Sequence, residues 1–314
     1  MYREVYKNKQ TIITGGGLGL VRRQTIEQWL DEYIAHSGYS DIQSVYVEKD
    51  KKTLVERYYN GCNALTRYPA DEMGYLMIAL LTGVAIDKRI LRSVEVPIGT
   101  YLTEFMLQYY TLYHRMKVKH LLTMTSGIEY EDKKDAFKSF KLFHTVDSSM
   151  IDMIVKLPLT QVPGLRYQYK KVDIIILCAF LQNILNKQLS EFCNDTILRP
   201  LHIKDGFTSD MGSLLLSARE YAAIGDLMLH DGYYENHKVI SSGYVKEMVA
   251  KRLPNKSFGY QMRLYPNGYG TVARNGSQML VLPNENLVFV IIARKSKYPR
   301  YYGGIVSGIL EFLK

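Results

Sequence analysis

The chain has 314 residues, 47% of them hydrophobic and 23% charged, with no low-complexity tract. That composition suits a globular protein with a sizeable core and excludes collagen-like and disordered chains. Forty Lys and Arg against 31 Asp and Glu leave a net charge of +9, with denser basic runs at 133–141, 246–256 and 294–300. Such runs are ordinarily a solvated face, and no helix-turn-helix, zinc-finger or RNP pattern accompanies them, so no nucleic-acid partner is expected.

Residues 1–24 are largely polar and read as a flexible N-terminal lead-in. Their Gly15-Gly16-Gly17 cluster lacks the strand and spacing of a dinucleotide fingerprint. Basic residues there have no apolar core beside them, so no signal peptide is expected and a cytoplasmic address follows. Thr25 can cap a helix whose apolar residues Ile26, Trp29, Leu30, Tyr33 and Ile34 share one face. The segments SVYVEKD and KTLVERYYN alternate like two antiparallel strands around a Lys51-Lys52 turn. An apolar helix follows over about 72–88, and the chain from 95 to 212 reads as mostly helical with connecting loops.

Pro163-Gly164 marks a turn, and residues 172–187 return to a buried helix. Its run IIILCAFL (174–181) is too short to cross a membrane. Helices are then expected at 217–231 and 242–251, and strands at 257–265, 269–274, 277–283 and 286–293. A terminal helix runs from 302 to 313. The order predicts an α/β (α+β) fold: an antiparallel sheet closed by the N-terminal hairpin, flanked by both terminal helices, with an inserted helical lobe. Residues 25–312 form one domain in this reading, with a sheet lobe at 25–94 and 213–312 and a helical lobe at 95–212.

Cys62, Cys178 and Cys193 cannot all pair and none stands in a Cys-x-x-Cys spacing; Cys178 lies on an apolar run and reads as a small buried hydrophobe. The seven histidines show no ligand spacing, so neither a metal site nor a cofactor is expected.

Three stretches carry a resemblance. Glu72-Met73-Gly74-Tyr75 leads into LMIALLTGVAID (76–87); HLLTMTSGIEY follows at 120–130, and VPGLRYQYKKVD at 162–173. With LRPLHI (198–203) and SLLLSAREYAAIGDLML (213–229), they resemble the serine β-lactamase and penicillin-binding-protein superfamily. The resemblance is closest to its class C-related branch of esterases and 6-aminohexanoate-dimer hydrolases, and it covers roughly residues 25–312. It implies the β-lactamase/transpeptidase-like fold, with the site in a cleft between sheet and helical lobe.

The family's chemistry needs a Ser-x-x-Lys pair, where the lysine one helical turn away helps take the serine's proton. Counting back from Gly83 places Glu72 at the serine and Tyr75 at the lysine. No serine anywhere in the chain has a lysine three residues later. Tyr169 matches the relay tyrosine of Tyr-x-Asn, but Lys171 stands at the asparagine. TVARNGSQMLVLP (271–283) resembles the A-R-G-N-G-G-Q type of third motif with a glycine missing, which leaves Arg274 and Asn275 near the oxyanion strand. Ser126, in a helix-ending Thr-Ser-Gly turn, is a poor replacement nucleophile, and His120 reads as structural.

Losing a serine nucleophile or its base costs about 10⁶-fold in rate. The altered motif therefore predicts a pseudoenzyme that binds a small-molecule or peptide-like ligand, or a protein partner, in the old cleft. The ligand-binding candidates are Glu72, Tyr75, Tyr169, Lys171, Arg274 and Asn275, with Glu72 and Lys171 expected to form an ion pair. One alternative is a rewired hydrolase of esters, amides or lactones in which Glu72 acts as base or nucleophile with Tyr169 and Lys171. Another is a structural partner of a second enzyme. The 26 tyrosines supply contact area but do not identify a ligand.

Overall fold

The computed structural model describes residues 24–107, 112–131, 137, 139–253, 256–294 and 302–314. The expected lead-in, apart from Gln24, lies outside the described residues, as do parts of all three basic runs.

Helix α1 (Ile26–Ser37) begins as its sequence dictates. The Thr25 hydroxyl accepts from the Gln28 N–H at 3.2 Å, and the Gln28 side chain accepts from the Thr25 N–H at 3.1 Å. Gly38, in the left-handed region, ends it. Leu30 and Ile34 are buried, and Ile26, Trp29 and Tyr33 pack beside them.

Strands β1 (Ile42–Lys49) and β2 (Lys52–Tyr58) form the expected hairpin. Its turn falls on Asp50 and Lys51, not on Lys51 and Lys52. Both have positive φ, 51° and 60°, the combination of a type I′ connection whose twist matches its strands. Two short pairs, β3 (Tyr68–Pro69) with β4 (Leu215–Leu216) and β5 (Tyr233–Tyr234) with β6 (His237–Lys238), stand apart from the main sheet.

Strands β7 (Arg263–Tyr265), β8 (Gly268–Val272), β9 (Gln278–Leu282) and β10 (Leu287–Ala293) complete a six-stranded antiparallel sheet of order β2-β1-β10-β9-β8-β7. The N-terminal hairpin thus pairs with the C-terminal strand, Val47 opposite Phe289. The strand expected at 257–265 is shortened to three residues because its first half turns inward. There the Tyr260 N–H donates to Met248 O and the Gln261 N–H to Leu122 O, away from any neighbouring strand.

The remaining helices are α2 (Tyr75–Asp87), α3 (Val118–Leu122), α4 (Ser148–Ile154), α5 (Lys171–Leu185), α6 (Leu189–Cys193), α7 (Ala218–Leu229), α8 (Ser242–Met248) and α9 (Gly303–Phe312). One face of the sheet packs against α1 and α9, around Val45, Phe289, Tyr302 and Ile305. The other packs against α7 and the larger core that holds α2 and α5. Helix α2 is buried all round from Tyr75 to Ala85, which explains an apolar run with no polar stripe. The 174–181 run lies buried in α5, and among the described residues no single helix is long and apolar enough to cross a membrane.

Candidate functional site

Where α2 begins, the chain makes a 3₁₀ turn over Asp71–Gly74, so Glu72 sits ahead of the α-helix and Tyr75 is its first residue. This turn is anchored by a segment remote in sequence: β3 pairs with β4, and the Ala70 N–H donates to Leu214 O at 2.9 Å. Asp71 has φ +42°, strained for a residue with a side chain.

Opposite lies the β8–β9 connection. Gly276, at φ +95°, closes a tight loop in which the Gly276 N–H donates to Ala273 O and the Asn275 side chain accepts from the Ser277 N–H at 2.8 Å. Arg274 and Asn275 are therefore turn residues; Arg274 falls just beyond β8, although the strand expected at 269–274 includes it. Lys171 opens α5, and the stretch 140–142 with 212–214 forms the far wall.

These elements enclose a cavity of about 540 Å³ lined by Glu72, Tyr75, Lys171, Arg274 and Asn275, together with Asp71 and Lys141. Tyr169 lines a smaller neighbouring cavity that shares Glu72 and Tyr75. A stack joins the two: the Tyr75 and Tyr169 rings lie 6.3 Å apart at 26°, and the Arg274 guanidinium sits 5.4 Å from the Tyr169 centroid.

The ion pair expected between Glu72 and Lys171 is not formed. Glu72 pairs with Arg274 instead, Nε to Oε1 at 3.5 Å, and the Arg274 N–H approaches Oε2 at 3.4 Å. The reason is position: the hairpin turn brings Arg274 against the 3₁₀ turn, while Lys171 lines the cavity from the start of α5. With Glu72 about one-fifth exposed and Arg274 more than half exposed, this pair is water-screened and of modest strength.

Two residues of the HLLTMTSG stretch have fully structural surroundings. His120 is buried, and its Nδ1 accepts from the Lys117 N–H at 3.1 Å. Burial, reinforced by the Lys119 and Lys117 charges, pulls its pKa down to about 4, so the ring is neutral. Ser126 is buried and donates to Asp173 Oδ1 at 2.6 Å, a scaffold bond between this turn and α5. Gly127 is required beside it: φ is +82°, and a Cβ would come within 2.1 Å of Gln161 O.

Burial pushes the Cys178 and Cys193 thiols up, which keeps both protonated and unreactive.

Sequence reading missed Asp71 and Lys141 as cavity residues and the fully buried Lys170–Asp173 pair beneath Tyr169 and Lys171. Lys170 Nζ donates to Ile128 O at 2.8 Å and lies 3.8 Å from Asp173 Oδ1. The signal for this pair was an i,i+3 Lys–Asp spacing at a helix start, visible but unremarked. Lys141 carried none, since its place in the wall comes from a loop held by its ion pair with Asp210.

A cleft between an antiparallel sheet and a helical layer, with the start of a buried helix at its floor, defines a β-lactamase/transpeptidase-like fold. The β-lactamase family model matches residues 26–213, and the chain belongs to that family. Among solved structures, a β-lactamase-like protein of Bacteroides dorei DSM 17855 superposes with TM-score 0.76 at 15% identity, covering 91% of this chain and 97% of that one. The octameric penicillin-binding protein homologue of Pyrococcus abyssi gives 0.74 at 16%, covering 92% and 77%. A penicillin-binding protein of Bacillus halodurans gives 0.70 at 14%, covering 91% and 99%. At these identities the likeness is one of fold. No curated protein matches the chain.

Proposed function

We propose that this chain is a non-catalytic member of the β-lactamase family that binds a small-molecule or peptide-like ligand in the altered cleft. One observation carries the reading. The residue at the nucleophile position is a carboxylate engaged by Arg274, and the residue one turn on is a tyrosine stacked on Tyr169, so no nucleophile–base pair occupies the helix start. Glu72, Tyr75, Lys171, Arg274 and Asn275, with Tyr169 beside them, are the candidate ligand contacts. The cavity mixes cationic (Lys141, Lys171, Arg274) and anionic (Asp71, Glu72) side chains with apolar and aromatic ones, as a recognition site for a polar organic ligand would. A protein partner could use the same rim, and a cytoplasmic setting belongs to this proposal.

In the rewired-hydrolase reading, Glu72 takes a proton or attacks an acyl carbon with Tyr169 and Lys171 as its partners; the contacts it makes are to Arg274 instead. The test is labelling of the purified protein with a fluorophosphonate probe and turnover of short-chain nitrophenyl esters, with Glu72→Ala as control. No labelling and equal background turnover are expected for both proteins. Turnover that disappears in Glu72→Ala would overturn the non-catalytic reading.

A further inference from the structure

Three segments remote in sequence meet beside the smaller cavity, which Tyr167 and Phe258 line. Residues 117–122 lead into and form α3, 162–167 make the turn before Tyr169, and 251–261 run between α8 and β7. The turn is seated on the α3 segment: the Gly164 N–H donates to Thr125 O at 2.8 Å, and a Cβ on Gly164, at φ +92°, would stand 3.1 Å from His120 Nε2. The third segment is tied to the same helix, where the Gln261 N–H donates to Leu122 O and its side-chain amide to Leu121 O, each at 3.0 Å. Lys256 links it to the turn, with Nζ 5.0 Å from the Tyr167 ring, and that ring packs on Phe258 at 4.8 Å.

The three segments hold six Lys and Arg and no Asp or Glu. Arg166, Lys251, Arg252 and Lys256 are exposed, while Lys117 and Lys119 share one carboxylate, Glu95, at 2.9 and 2.7 Å. Glu247 lies 3.6 Å from Arg252, so two neighbouring carboxylates face six cations and the patch stays positive. The turn adds an apolar tip. Pro163 is buried at its root, the Leu165 N–H donates to Val162 O at 3.1 Å, and Leu165 and Val162 are left 69% and 44% exposed. Exposed aliphatic surface and neighbouring like charges are both unfavourable in water, and a surface that is anionic outside and apolar beneath relieves both.

The aromatic rings decide between polyanions. Bases of single-stranded nucleic acid stack on exposed ring faces. Here Phe258 and Tyr260 are buried, Lys256 lies over Tyr167, and Arg252 lies over Tyr260 at 4.9 Å. What the turn exposes is aliphatic, which suits acyl chains. We infer that this face docks the protein on an anionic lipid surface, with Leu165 and Val162 entering the headgroup boundary and the cations meeting lipid phosphate and carboxylate groups. The inference is independent of what the cleft binds and of whether it turns anything over.

The experiment is co-sedimentation of the full chain with vesicles of phosphatidylcholine, alone or mixed with phosphatidylserine, at low and high salt. Binding to the mixed vesicles that salt weakens, and none to phosphatidylcholine alone, is expected. Leu165→Ser changes an exposed position, so it is expected to keep the urea midpoint and to weaken binding by about 5- to 10-fold. Lys256→Glu is expected to weaken it by about 10- to 30-fold. Lys52→Glu makes the same charge change on β2, the sheet edge opposite β7, and is expected to alter binding less than about 3-fold. Equal binding to both vesicles, binding to neither, or equal losses in Lys256→Glu and Lys52→Glu would each overturn the inference. So would full affinity in Leu165→Ser, or capture by polyglutamate or single-stranded DNA in place of vesicles, which would assign the face to a soluble polyanion.

Discussion

A serine placed at position 72 would have Tyr75 one turn on and Arg274 across the cleft, and neither side chain can take its proton. Glu72→Ser is therefore expected to label with fluorophosphonate no faster than the parent protein; labelling above that background would reveal a base elsewhere in the cleft. The same substitution breaks a partly exposed pair, so a shift of about 0–1 kcal/mol in urea unfolding is expected. Lys170 presents the opposite case. It and Asp173 are fully buried, and removing the cation takes a counter-charge from Asp173, which keeps its Ser126 bonds, and unties the Ile128 carbonyl. Lys170→Met is expected to cost about 3–5 kcal/mol in urea unfolding. A cost below about 1 kcal/mol would mean that the pair is not charged as it stands. Position 72 tests chemistry and position 170 tests scaffold.

Among the elements, α2 shows how packing overrides local preference. Alanine is a better helix former than glycine by about 1 kcal/mol, so Gly83→Ala should stabilise an isolated helix. In the fold, a Cβ at position 83 would stand 2.2 Å from the Tyr244 ring on α8, and that ring is held in place by its hydroxyl bond to Ala79 O at 2.9 Å. Gly83→Ala is therefore expected to lower stability by about 1–3 kcal/mol, read as a drop in the urea midpoint at unchanged slope.

The same contrast decides what was legible in the sequence. Elements specified by local periodicity and caps, such as α1 with Thr25, α7 with Ser217 and the β1–β2 hairpin, could be read from the chain within a few residues. The β3–β4 pair could not, because two residues carry no periodicity and its partners lie about 145 positions apart. It nevertheless fixes the floor of the cleft through Ala70 and Leu214. The strand expected at 257–265 shrinks to the three residues of β7 because the inward bonds of Tyr260 and Gln261 are tertiary. In the site, motif spacing reached the residues near the helix start and the hairpin turn. The choice of Arg274 over Lys171 as partner for Glu72 depended on a turn geometry that spacing does not encode.

For the whole molecule, one buried histidine and two carboxyl groups, Glu48 and Asp226, pull in opposite directions in mildly acidic solution. His120 has its pKa drawn from 6.5 down to about 4 by burial and the neighbouring lysines, so the unfolded chain binds a proton that the folded chain refuses. Its contribution is fully present above pH 6.5 and is lost as pH falls toward 4, on the order of 2–3 kcal/mol at most. Glu48 and Asp226 are raised, each chiefly by burial and each less by other contacts, with Asp226 acting on Glu48. For them the folded state takes up protons first, so they favour folding as pH falls. Glu95, drawn down to about 2 by Lys119 and Lys117, titrates below this window and is too exposed to weigh much. The histidine shift is the larger, so stability of the parent protein is expected to fall between pH 6.5 and 4.5. In His120→Gln, where the side-chain carbonyl can still accept from the Lys117 N–H, only the carboxyl contribution remains, and the slope should flatten or reverse. Urea midpoints for both proteins at several pH values across this interval check it. A slope that His120→Gln leaves unchanged would assign the acid sensitivity to groups other than this buried ring.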